Sequence, residues 1–102
     1  MQKFIISTLD EVGRLLLTKD VRESLDWKPN TALAITPNVE DGMALVTEVA
    51  DSPEGTPCTI DDLSRVAIPA QTLAALNWGK DTQVAISPAH SGHGIALVRV
   101  KG

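Results

Sequence analysis

The chain has 102 residues, 43% of them hydrophobic and 22% charged, with a formal net charge of −4 at pH 7 and an isoelectric point near 4.9. That length suits one compact domain and is short for two independent ones. No apolar run nears the roughly 18 residues of a membrane helix, and the opening Met1-Gln2-Lys3-Phe4-Ile5-Ile6-Ser7 is too briefly apolar for a secretory leader. A single Cys58 cannot build a disulfide framework, so a reducing, cytoplasmic setting without a membrane partner is expected.

The charge is unevenly spread. Residues 1–51 hold five Lys/Arg against nine Asp/Glu, whereas residues 52–102 hold four of each. A free-standing nucleic-acid binder is more often basic, because phosphate neutralisation supplies much of the affinity.

An internal repeat organises the chain. Shifted by 51 positions, Thr8 meets Thr59, Asp10 meets Asp61, Arg14 meets Arg65, Leu25 meets Leu76, Trp27 meets Trp78 and Thr31 meets Thr82. Ala34-Ile35 then meets Ala85-Ile86 and, after one inserted residue, Ala44-Leu45-Val46 meets Ala96-Leu97-Val98. Both tryptophans fall on one another in the same Leu-x-Trp context, which makes chance a poor explanation. The units read as 1–50 and 58–102, joined by a linker at 51–57 of Ser, Pro and Gly character.

In chain order, Phe4 to Leu9 is a β-prone strand with a shorter counterpart near Cys58 to Ile60. Asp10-Glu11-Val12-Gly13 and Asp61-Asp62-Leu63-Ser64 are turns, with Gly13 free to take positive φ. Arg14 to Leu17 and Arg65 to Ile68 are short strands, positions 15/17 and 66/68 facing one way. Thr18 is placed to cap a helix over Lys19 to Asp26, and Pro69 suits the first position of a helix reaching Asn77. Val21 and Leu25 form the inner stripe of the first helix, Leu73 and Leu76 that of the second. Thr31 to Thr36, Met43 to Val49, Thr82 to Ser87 and Ile95 to Val100 complete the strands. Four short strands leave open edges, so neither unit hides its apolar faces alone, and an intrachain pseudo-dimer with one shared core is expected.

The ordered set Asp61-Asp62-Leu63-Ser64-Arg65-Val66-Ala67-Ile68-Pro69, then Leu76-Asn77-Trp78-Gly79-Lys80-Asp81-Thr82, resembles the AbrB/MazE/SpoVT family. That family runs from an acidic turn and Gly-Arg through a strand ending in Ile-Pro to a short helix and a Gly-Asp turn. The first unit is similar at Asp10-Glu11-Val12-Gly13-Arg14 and Leu25-Asp26-Trp27, with Thr18 where the family prefers Pro. The longer MraZ family, also with two such units per chain, is the second-choice relative. The resemblance implies a mainly β fold with two short helices, a swapped-hairpin β-barrel formed within one chain as a monomeric pseudo-dimer, or a homodimer of it. It also implies a DNA-binding transcriptional regulator contacting double-stranded DNA through Arg14 and Arg65, a symmetric pair able to meet two half-sites, with phosphate contacts from Lys19 and Arg22. Ala70 and Leu73 stand where a second Lys19 and Arg22 would be.

Other readings remain open beside this one. Arg14 and Arg65 can instead form ion pairs with Asp10/Glu11 and Asp61/Asp62. Family antitoxins extend an acidic tail to a toxin, and here Lys101-Gly102 directly follows the last predicted strand, which sets that role second. A protein-interaction module of the same fold is the third. His90 and His93 are read as a solvated loop, since two ligands make a weak zinc site. Trp27 and Trp78 are read as packing residues and Cys58 as a small buried one. No nucleophile–base set or phosphate loop is recognisable, so neither an enzyme nor a cofactor is expected.

Overall fold

Alternation at Arg14–Leu17 and Arg65–Ile68 sends Leu15, Leu17, Val66 and Ile68 inward, all at most 4% exposed, while Leu16 and Ala67 face solvent. The computed structural model, which describes residues 5–89 and 93–100, makes these runs β2 (Arg14–Leu16) and β6 (Arg65–Ala67). The remaining elements are β1 (Ile5–Thr8), α1 (Lys19–Leu25), β3 (Ala32–Asn38), β4 (Met43–Glu48), β5 (Thr56–Thr59), α2 (Ala70–Leu76), β7 (Gln83–Pro88) and β8 (Gly94–Arg99). The architecture is mainly β with two short helices, and the second half repeats the element order of the first.

All strand pairs are antiparallel. β3–β4 and β7–β8 are hairpins within one repeat, and β4 pairs β8 between them. The first strand of each repeat joins the other repeat's hairpin: β1 lies on β7 and β5 on β3. The sheet order β1-β7-β8-β4-β3-β5 therefore reads the same when the repeats are exchanged. Register obeys the same exchange, with Ser7 opposite Val84 and Cys58 opposite Leu33. β2 and β6 form a separate two-stranded ribbon centred on the Leu15–Val66 pair.

Local backbone follows the repeat as well. Apart from Gly42, the left-handed residues among those described occur in pairs, Gly13 and Ser64 (φ 82° and 64°), Asp26 and Asn77 (56° and 58°), Asn30 and Asp81 (70° and 69°). Asp26 and Asn77 end the helices, and Thr31 and Thr82 each accept a hydrogen bond at the next turn, from Lys28 N and Gly79 N, at 3.0 Å. Helices of seven residues stand only by docking on the sheet.

The two helices dock differently. Thr18 caps α1, its Oγ1 accepting from Val21 N at 3.4 Å, and Val21 and Leu25 reach the core half-buried. α2 sits deeper, burying Leu76 together with Thr72, which lay outside the predicted stripe. Pro69 is the residue before the helix rather than its first member. The connection between the repeats is also shorter than the expected 51–57 linker, because Thr56 and Pro57 already belong to β5. Pro57 lacks an N–H to donate, and β5 is an edge strand of the six-stranded sheet, where such a gap is tolerated.

The core gathers side chains of both repeats, among them Leu33, Ile35, Val46, Val84, Ile86 and Leu97. Trp27 and Trp78 are 3% and 4% exposed, as packing residues should be. Leu15→Ala should therefore cost about 2–5 kcal/mol in urea unfolding, because it empties the centre of the ribbon's inner face. Leu16→Ala, one residue on and half exposed, should cost less than about 0.5 kcal/mol.

Candidate nucleic-acid interface

The acidic turns build the site from the backbone upward. Asp10 Oδ1 accepts hydrogen bonds from Val12 N (3.0 Å) and Arg14 N (2.8 Å), while Asp10 N donates to Arg14 O (3.1 Å). The second turn repeats this: Asp61 Oδ1 accepts from Leu63 N and Arg65 N, both at 2.9 Å, and Asp61 N donates to Arg65 O at 2.9 Å. A short carboxylate that folds back on its own backbone stabilises such a turn. The other carboxylate oxygen holds the arginine: Arg14 Nε donates to Asp10 Oδ2 at 2.9 Å and Arg65 Nε to Asp61 Oδ2 at 3.0 Å. Of the two expectations for these arginines, the ion pair is present at Asp10 and Asp61. Glu11 and Asp62 are exposed and take no part in an ion pair among the described residues.

The strand period puts Arg14 and Arg65 on the outward face of the ribbon, opposite buried Leu15 and Val66. Arg14 is paired with Ala67 and Arg65 with Leu16, so the arginines occupy opposite corners of that face. Two residues along and one strand across separates their Cα atoms by roughly 8 Å. Each side chain retains partial exposure, 36% for Arg14 and 27% for Arg65. Around them the ribbon and its turns expose Leu16 at 50% and Val12 and Leu63 at 64% each. Alternation already turned Leu16 outward, whereas it said nothing of Val12 and Leu63 in the turns.

Lys19 and Arg22 lie at one end of this ribbon only. Leu17 N donates to Ser64 O at 2.8 Å, so the chain leaves β2 beside the second repeat's turn and enters α1 there. Lys19 is exposed at the start of α1, two residues after the Leu17–Ser64 contact. Arg22 is half-buried, and its Nε is buried without a hydrogen-bond partner. At the Arg14 corner, Ile68 N donates to Gly13 O at 3.0 Å, and Leu73 of α2 packs so closely that a Cβ on Gly13 would lie 2.5 Å from its Cδ1.

The remaining candidates lie elsewhere. His90, Ser91 and Gly92 fall outside the described residues, and His93 is exposed. No cluster of three or more His, Cys, Asp or Glu side chains suited to a metal ion occurs among the described residues, and no described helix is long and apolar enough to cross a membrane. Cys58 is buried in β5, and desolvation pushes its thiol up to about 11.

Asp10 and Asp61 titrate below the usual carboxylate range, first because of the backbone hydrogen bonds from Arg14 and Arg65. A depressed carboxylate contributes stability that is complete above the unfolded value and lost as pH falls through the folded one. The Asp10→Asn/Asp61→Asn double variant should thus melt below the wild type at neutral pH. Thermal scans should show that gap closing as pH drops below roughly 4. Cys58 should stay unreactive to a thiol reagent at pH 8 in native protein and react fully in denaturant. Compared with known proteins, the chain matches no family model, no curated protein and no solved structure.

Proposed function

We propose that the chain is a DNA-binding transcriptional regulator of the AbrB type, its two repeats forming a swapped-hairpin β-barrel within one chain. The exchange of β1 and β5 between the two hairpins supports that fold. The observation carrying the function is that Arg14 and Arg65 share the outward face of one two-stranded ribbon. The major groove of B-DNA admits a β-ribbon of this kind, and arginine is the commonest reader of guanine there.

Spacing refines the contact. Half-sites one helical turn apart lie roughly 34 Å from each other, far beyond two arginines on a three-residue ribbon. Arg14 and Arg65 would therefore meet base pairs a few steps apart in a single groove. Lys19 would add a phosphate contact beside Arg65, with Arg22 behind it, so the cationic surface combines the first repeat's helix with the second repeat's turn. With a net charge of −4, binding has to depend on this local cluster and to weaken steeply with salt.

A second reading, a protein-interaction module, is favoured by the exposed Leu16 of the ribbon and the exposed Val12 and Leu63 of its turns. Fluorescence anisotropy against the DNA upstream of its own gene separates the two. The regulator should bind at low ionic strength, lose affinity about tenfold or more on Arg14→Ala or Arg65→Ala, and show a shallower salt slope by about one on Lys19→Ala. Absence of any salt-dependent binding would leave the interaction module standing.

A further inference from the structure

The ion pairs at the ribbon corners have a consequence for what the arginines can touch. Only Nε of each guanidinium is engaged by its aspartate, and neither arginine has another side-chain partner among the described residues. The aspartate is itself clamped by two backbone N–H groups, so it is a fixed anchor rather than a mobile counterion. Holding a planar guanidinium through Nε leaves its outer pair of Nη donors as a pre-set fork, and fewer rotamers have to be frozen when a ligand arrives.

Geometry also limits the spacing of the two forks. Asp10 sits on the side of β2 away from β6, and Asp61 on the side of β6 away from β2. Each arginine therefore leans outward from the ribbon centre. Their forks lie wider apart than the roughly 8 Å between Cα atoms, by at most about one strand spacing on each side. At roughly 3.4 Å per base pair this corresponds to about three to five base pairs. The local two-fold of the antiparallel ribbon runs through the Leu15–Val66 pair, so the forks point at symmetry-related positions.

We infer that Asp10 and Asp61 are positioning residues that make Arg14 and Arg65 a rigid pair of guanidinium forks, reading one guanine on each DNA strand about three to five base pairs apart. This rests on the DNA-binding reading above and names the class of site it selects.

The test uses fluorescently labelled A·T-rich duplexes carrying one guanine on each strand, their separation varied from adjacent to about a helical turn. Anisotropy titrations compare the wild type with Asp10→Asn/Asp61→Asn, which keeps the Oδ1 acceptor and removes the oxygen that holds Nε, and with Arg14→Lys/Arg65→Lys, which keeps charge and removes the fork. The wild type should prefer the intermediate separations by about tenfold. Both double variants should lose the preference, and the lysine variant should also bind the preferred duplexes about tenfold more weakly. In the DNA-free protein, the Nε–H signals of Arg14 and Arg65 should exchange slowly and lose that protection in the aspartate variant. Binding that ignores guanine spacing, a preference that survives in the aspartate variant, or unprotected Nε–H groups would each overturn the inference while leaving DNA binding intact. Failure to bind any duplex at low salt would sink the functional reading, and the inference with it.

Discussion

Backbone hydrogen bonding across the repeat boundary is the constraint on which the rest of this molecule depends. Each repeat supplies one complete hairpin and one additional strand, β1 or β5, that pairs with the opposite repeat's hairpin. Unpaired main-chain donors and acceptors are costly once buried, and an isolated hairpin with one apolar face is marginal in water. Exchange of the first strands answers both demands. It also brings the chain back along one side of the sheet, where β2 and β6, only three residues each, find one another. Strands so short are held by each other, by the Asp10 and Asp61 turns on their outer edges, and by the buried Leu15, Leu17, Val66 and Ile68.

That short ribbon organises the charged surface. The aspartate of each turn carries two tasks at once: one oxygen closes the backbone reversal and the other restrains the arginine that follows four residues later. As an ion pair at a half-exposed site it adds little to stability. Its larger effect is on conformation, since a tethered guanidinium has fewer states to lose. Because the repeats interlace, α1 of the first stands beside the turn of the second. The helix that carries Lys19 and Arg22 thereby starts at the same end of the ribbon as the turn leading to Arg65, although the ribbon's register is two-fold symmetric.

Departures from symmetry have identifiable causes. Gly13 lies against Leu73, whose Cδ1 would have to shift to admit a Cβ, whereas its counterpart Ser64 adopts the same left-handed conformation with a side chain. The residue corresponding to Leu73 is Arg22, a longer and more adaptable side chain. The repeat pairs the small turn residue with the bulky apolar one, and the larger turn residue with the flexible cation. The shallower docking of α1, with no fully buried residue, fits a helix that carries such a cation on the position α2 uses for leucine.

Much of this was written in local sequence. The 51-residue repeat, the alternation at Leu15/Leu17 and Val66/Ile68, the Thr18 cap, the left-handed Gly13 and the buried tryptophans all follow from rules acting over a few residues. The i, i+4 spacing of Asp10 to Arg14 and Asp61 to Arg65 already contained the possibility of a tether. What local rules could not decide was which strand lies beside which. Periodicity says which face of a strand is buried, not against what, so β1 on β7, Pro57 inside an edge strand and the start of α1 beside the second repeat's turn emerged only with long-range pairing. The repeat of the chain was determined by its residues one turn at a time. The asymmetric grouping of its charges was decided by the fold, because interlacing two units sets the helix of one against the turn of the other.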